Sequence, residues 1–205
     1  RVYVRKVNIY GNSQTADHVI RRELRQQESG WISTAKVERG KNRLNKLGYF
    51  KTVSVETPAV PGMTDLVDVN YTVEEQSTGS INAGIGYSQT DGVIFNFSVS
   101  QKNFLGTGNS FSVGVNTSAV NTLFHLSVTD PYWTQDGISR TWYVTHRRTD
   151  ALENNLSDYN INKDALGLSF GFPVNEFNRY GLGLDVEKIA IDLPTDLINT
   201  ADNII

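Results

Sequence analysis

From Gly79 onward the chain alternates apolar and small polar residues with a period of two, and it does so seven times. No other feature restricts its folding as much. Ile81, Ala83, Ile85 and Tyr87 alternate with Asn82, Gly84 and Gly86, and Val93, Phe95, Phe97 and Val99 alternate with Ile94, Asn96 and Ser98. The pattern returns at Phe111, Val113 and Val115, then at Phe124, Leu126 and Val128, then at Ile138, Trp142 and Val144. It closes with Leu166, Leu168, Phe170 and Phe172, followed by Tyr180, Leu182, Leu184 and Val186. Neighbouring side chains of a strand point to opposite faces, so each stretch predicts a strand with one apolar face. Each is close to the ~9–11 residues that a tilted membrane strand needs. Arg140 interrupts the apolar face of the fifth stretch.

The second face separates two architectures. A soluble sandwich turns its polar face to bulk water and carries many Lys and Glu there. Here that face is mostly Ser, Asn, Thr and Gly, as expected of a crowded polar lumen, with Phe95, Phe97, Phe111, Phe124, Leu168, Phe170 and Leu184 towards lipid. The connections at 103–108, 130–137 and 173–178 read as compact turns, whereas 149–160 is longer and acidic. That rhythm predicts short turns on one side and variable loops on the other. Seven strands would leave such a barrel unclosed. The segment therefore reads as the opening part of a longer barrel, with an outer loop towards Ile205.

Composition breaks just before the alternation starts. Residues 1–76 hold 12 Lys+Arg and 9 Asp+Glu, whereas residues 77–205 hold 7 and 13, so a basic, charge-dense part precedes an acidic, charge-poor one. Gln76-Ser77-Thr78-Gly79 reads as the linker between two domains, 1–76 and 77–205. The first domain opens with an extended stretch (Val2, Val4, Val7, Ile9) ended by Gly11-Asn12. Val19, Ile20 and Leu24 predict a helix over 15–27, with Arg21, Arg22, Arg25 and Glu28 on its charged side. Ser33 is a fitting N-cap for a second helix with the stripe Val37, Gly40, Leu44 and Leu47, and Gly48 fits its left-handed end. Strands over 51–56 and 66–73 follow, so the order is β-α-α-β-β and the class α+β.

Little in the chain points to covalent chemistry. The formal charge of -3 is too weak to imply nucleic acid, and no cysteine is present for a disulfide or thiolate site. Gly167-Leu168-Ser169-Phe170-Gly171 matches the nucleophile-elbow pattern, but Ser169 lies inside an alternating strand and no histidine follows His146. His18, His125 and His146 lack metal-ligand spacing, and no phosphate-binding glycine motif is complete. Glu74 and Glu75 are strand neighbours that point apart, which suits a charged linker edge better than an acid/base pair. No cofactor, metal or enzymatic activity is expected.

The β-α-α-β-β order and the phrase Leu47-Gly48-Tyr49-Phe50 with Val53 resemble a POTRA domain, the periplasmic module preceding many outer-membrane barrels. Three later stretches resemble the successive periplasmic turns of the BamA-type barrel-assembly insertases, a branch of the wider POTRA-plus-barrel transporter family. They are Asn103-Phe104-Leu105-Gly106-Thr107-Gly108, Val128-Thr129-Asp130-Pro131-Tyr132-Trp133 and Gly171-Phe172-Pro173-Val174-Asn175-Glu176-Phe177-Asn178. Thr78-Gly79-Ser80 running into Gly84-Ile85-Gly86-Tyr87 resembles the approach to the first barrel strand of that family.

The resemblance implies a Gram-negative outer-membrane protein with its N-terminal domain in the periplasm, acting in the insertion of barrel proteins. It implies nascent outer-membrane proteins, accessory lipoproteins and outer-membrane lipids as partners. It also implies a lateral gate at which Ile81, Asn82, Ala83, Gly84, Ile85, Gly86 and Tyr87 pair with substrate strands, and a partner contact at Glu28. The glycines give the gate a physical basis, because they thin the strand of packing contacts, although they equally relieve crowding in the lumen or ease barrel curvature. A protein-translocating pore of the TamA or two-partner-secretion type shares this plan. A passive porin and a soluble peptide-binding module are the remaining readings.

Overall fold

The computed structural model describes residues 1–150, 159–175 and 178–192. The acidic loop and the polar stretch after the seventh barrel strand fall largely at 151–158 and 193–205, outside the described residues, as do Glu176 and Phe177. The chain divides into two compact units, Arg1–Thr78 with Lys102–Gly108, and Gly79–Gln101 with Asn109–Ile205.

In the first unit the elements run β1 (Tyr3–Tyr10), α1 (Asp17–Arg21), α2 (Thr34–Leu47), β2 (Phe50–Glu56) and β3 (Leu66–Glu75). The last strand is central: β1 pairs parallel to it on one side and β2 antiparallel on the other. Helix α2 forms where its signals stand. Ser33 caps it by accepting from the Lys36 amide, Gly48 ends it at φ 72°, and Val37, Gly40 and Leu44 are buried. These residues close a core with Val4, Val7, Val19, Ile20, Val69 and Tyr71. Tyr71 donates to the Val37 carbonyl at 3.1 Å, and burial, with Glu38 nearby, pushes its phenol up to about 12.

The first helix is much shorter than the 15–27 expected from its apolar spacing. It stops at Arg21 because the following side chains take specific partners instead of continuing the helical ladder. Glu23 is buried and holds Arg43 at 2.6 Å. Gln26, also buried, donates to the Trp31 carbonyl at 3.0 Å and accepts from the Ser33 amide at 3.0 Å. A glutamine bonded to the backbone on both sides defines a loop more firmly than one further helical turn would.

The second unit is a seven-stranded antiparallel sheet in chain order: β4 (Gly79–Ser88), β5 (Gly92–Phe104), β6 (Asn109–Thr117), β7 (Asn121–Asp130), β8 (Ser139–Asp150), β9 (Asn160–Pro173) and β10 (Arg179–Asp192). Register aligns the apolar residues in the middle of the sheet: Val128, Trp142, Leu168 and Leu184 form one row across four strands, whereas towards one end of the strands Phe124 stands opposite His146, and His146 opposite Asp164. Ile81, Ile85, Phe95, Phe97, Leu168 and Leu184 are exposed, so among the described residues no core packs against these side chains. The opposite face carries Ser98, Ser127, Tyr143, Lys163, Asp185 and Glu187. Turn lengths differ from the expected asymmetry. Connections 89–91 and 118–120 are shorter than 131–138, which lies at the other end of the strands. Both are tightened by local bonds, Asp91 N to Ser88 Oγ at 3.3 Å and Ser118 N to the Asn121 carbonyl at 2.7 Å.

Candidate functional site

Strand β4 has all seven residues assigned to strand pairing, from Ile81 to Tyr87. It lies at the end of the sheet, paired from Gly79↔Gln101 to Ser88↔Gly92 with β5, and its other edge has no partner among the described residues. An edge strand presents a row of backbone donors and acceptors. Ile81, Ile85 and Tyr87 stand out from it, each roughly three-quarters exposed (72, 75 and 76%). The two glycines differ. A methyl group at Gly84 would meet the Asn96 amide group at 2.6 Å, so this glycine makes room for the side chain opposite it. At Gly86 the nearest atom to such a methyl group, Ile94 Cβ, would be 4.0 Å away, an ordinary van der Waals distance. Lumen crowding accounts for the first and not for the second.

Glu28 belongs to the other unit. It does not ride on α1, which ends at Arg21, but lies in the following loop, half exposed. Its carboxylate accepts from the Val7 amide at 2.9 Å and lies 3.9 Å from Arg21. Val7 is a β1 residue, so Glu28 occupies a backbone donor on the outer edge of that strand.

Glu75 is the polar residue that the linker reading undervalued. Its two oxygens take the Ser13 hydroxyl at 2.8 Å, the Gln14 amide at 2.9 Å and the Thr15 amide at 2.6 Å. Partial burial works to raise its pKa, but the bonds from Thr15, Gln14 and Ser13 outweigh that and hold it at about 2. Glu74 points the other way, to Lys51 and Thr52, with its pKa lowered by those hydrogen bonds. The loop that Glu75 holds receives the segment Lys102–Gly108 within the same unit. Asn103 donates to Thr15 Oγ1 at 2.8 Å and accepts from the Gly108 amide at 2.8 Å. Tyr49 donates to the Gly108 carbonyl at 3.2 Å, and the Ala16 amide to the Gly106 carbonyl at 3.0 Å. Gly106 has φ 73° and lies against the Gln14 carbonyl, where a side chain would collide. The sequence marked this turn by its glycines but carried no sign of the residues that receive it.

On the polar face of the second unit, Tyr143 reaches over Gly167 to Asp185, and Lys163 pairs with Glu187 at 2.8 Å. On the other face, that of Phe124 and Trp142, His146 meets Asp164 at 2.6 Å, so it is held by a carboxylate. Among the described residues no three His, Asp or Glu side chains are placed to hold a metal ion.

Comparison with known proteins finds two family domains, one after the other. The family model described as "Surface antigen variable number repeat", POTRA, matches residues 2–76, and the Omp85 superfamily domain matches residues 103–203. The outer membrane protein assembly factor BamA of Neisseria meningitidis is 36% identical over 94% of this chain and 24% of its own length. That of Buchnera aphidicola is 32% identical over 89% of this chain and 30% of its own. The chain thus spans about a quarter to a third of the length of these two relatives. The crystal structure of Haemophilus ducreyi BamA lacking POTRA domains 1–3 superposes with a TM-score of 0.81 at 38% identity, over 94% of this chain and 36% of that one. CdiB from Acinetobacter baumannii shares the fold, with a TM-score of 0.64 at 13% identity over 93% of this chain and 39% of that one. The two matched domains in order, the BamA relatives and the shared architecture place this chain among the BamA-like POTRA-plus-barrel proteins, with barrel strands in the outer membrane and the POTRA domain in the periplasm.

Proposed function

We propose that this chain takes part in inserting β-barrel proteins into the outer membrane, with β4 as the strand on which incoming strands are built. Residues 1–76 serve as the periplasmic POTRA domain and 77–205 open the barrel. The observation that carries the reading is that β4 is the first strand of the meander: the short connection 89–91 locks one side of it to β5, whereas its other side has to find a partner far along the chain. Within a bilayer an unpaired backbone group costs several kcal/mol, so an opened edge favours any strand that pairs with it. Pairing through the backbone tolerates many substrate sequences, as an insertase of nascent outer-membrane proteins requires. The barrier is lowered by templating, with no covalent step and no cofactor.

The gate is tested by disulfide tethering in the intact protein. A cysteine replacing Asn82, matched by one in the strand that closes the barrel, should block assembly of barrel proteins when oxidised. Reductant should restore it. Full assembly activity in the oxidised protein would remove the gate from the mechanism.

Glu28 is the proposed contact for an accessory lipoprotein, on the strength of its half-exposed carboxylate. Because it also accepts from Val7, Glu28→Gln is the informative variant: it keeps an acceptor and removes the charge. Loss of lipoprotein co-purification with an unchanged melting curve supports the contact, and unchanged co-purification counts against it.

A further inference from the structure

Arg140 stands on the face of the sheet where a charge is least expected. Its cross-strand partners are Asp130 on β7 and Phe170 on β9, and Phe170 in turn pairs with Leu182. The next row on the same face is Val128, Trp142, Leu168 and Leu184, apolar throughout. Arg140 is the second residue of β8, directly after the connection 131–138. It therefore lies at one margin of the apolar band, where a charge is tolerated far better than at the centre.

The guanidinium is held but not neutralised. It lies over the Trp133 ring at 5.4 Å, and that ring packs on Phe170 at 5.3 Å. Asp130 accepts from the Tyr132 amide at 3.1 Å, and among the described residues no carboxylate forms an ion pair with Arg140. Its Nε is shut off from solvent without an acceptor. The terminal Nη atoms are not covered in this way, and they remain open to an acceptor supplied from outside the chain. Trp133 is 47% exposed and Tyr180, further along the same rim, 73% exposed, as suits aromatic side chains at a membrane boundary.

We infer that Arg140, steadied by Trp133 and Phe170, binds the phosphate of a phospholipid in the periplasmic leaflet. The planar guanidinium fork matches phosphate oxygens, and cation–π contact with Trp133 keeps it at headgroup level. The acyl chains lie along Trp142, Leu168 and Leu184, which continue the same face into the bilayer. The inference rests on that face being turned to lipid.

Native mass spectrometry of the intact protein in mild detergent tests it. Three additions are compared: dioleoylphosphatidylglycerol, dioleoylglycerol, which has the same chains and no phosphate, and inorganic phosphate alone. The wild-type protein should retain phosphatidylglycerol and neither of the others. Arg140→Gln should lose that adduct several-fold, Arg140→Lys should lose part of it, and Arg147→Gln, at a position of the opposite face, should retain it. Heat-modifiable electrophoretic mobility confirms that each barrel is folded. Equal retention by folded Arg140→Gln overturns the site, and an adduct with inorganic phosphate alone overturns the lipid assignment. If the lipid-facing reading itself fails, wild-type and variant alike will not insert into phosphatidylglycerol vesicles, an outcome separate from loss of the adduct in Arg140→Gln only.

Discussion

Tyr143 on β8 donates a hydrogen bond to the Asp185 carboxylate on β10, crossing the intervening strand over Gly167. Gly167 pairs with both residues in register, and a methyl group there would overlap the tyrosine ring and the carboxylate. The glycine thus creates a trough in which an aromatic ring ties three strands together. Gly167→Ala should destabilise the barrel by about 1–3 kcal/mol, in the range of other overpacked sites. In a double-mutant cycle, Tyr143→Ala should relieve most of that cost, and additive effects would show that the two residues are not coupled.

A second expectation concerns the two faces. Arginine at Leu168 or Phe97, near the middle of exposed apolar strands, should cost roughly 2–4 kcal/mol if these residues meet the bilayer midplane. Arginine at Ser98 or Ser127, on the opposite face, should cost much less. Refolding into vesicles with denaturant titration measures both, and equal costs would remove the lipid-facing assignment.

The Glu75 cluster has a pH signature. Its carboxyl is held at about 2 in the fold. In the unfolded chain a glutamate titrates near its ordinary ~4.3. A depressed folded pKa means stability that is full above the unfolded value and is lost as pH falls from there towards about 2. Glu75→Gln should lower stability at neutral pH by about 1–3 kcal/mol, since bonds to a charged acceptor are among the stronger ones. The gap between wild type and variant should close below pH ~4. A gap independent of pH would mean that shape, and not charge, holds the Ser13–Thr15 loop.

Residues 1–78 should fold by themselves in buffer, because Val4, Ile20, Leu44, Val69 and Tyr71 form a core drawn from that segment alone. Circular dichroism of this fragment should show a cooperative melt. Leu44→Ala, at a fully buried position, should lower its stability by about 2–5 kcal/mol. An unfolded wild-type fragment would show that Lys102–Gly108, which belongs to the same compact unit, is required for the fold.

The strands of the second unit were legible because a sheet with unlike faces imprints a period of two on its residues, and a meander needs only local turns to set the strand order. Helix α2 was legible for a similarly local reason, since Ser33 and Gly48 act on the backbone next to them. The length of α1 was not, because Glu23 and Gln26 are withdrawn from a helix by Arg43, Trp31 and Ser33, which the chain delivers only after it has folded. The candidate gate strand could be placed from its position and glycines, yet the distinct surroundings of Gly84 and Gly86 depend on which side chain lies opposite.

Local sequence therefore determined where strands and capped helices form and which face of each is apolar. Tertiary structure decided what meets across them: β3 at the centre of the first sheet, Glu75 beneath the Ser13–Thr15 loop, Tyr143 over Gly167, and Arg140 beside Trp133. Periodicity records only whether a residue is turned towards apolar or polar surroundings. The partner of a buried donor or charge is fixed by register and packing between segments distant in the chain, and these leave no periodic trace in it.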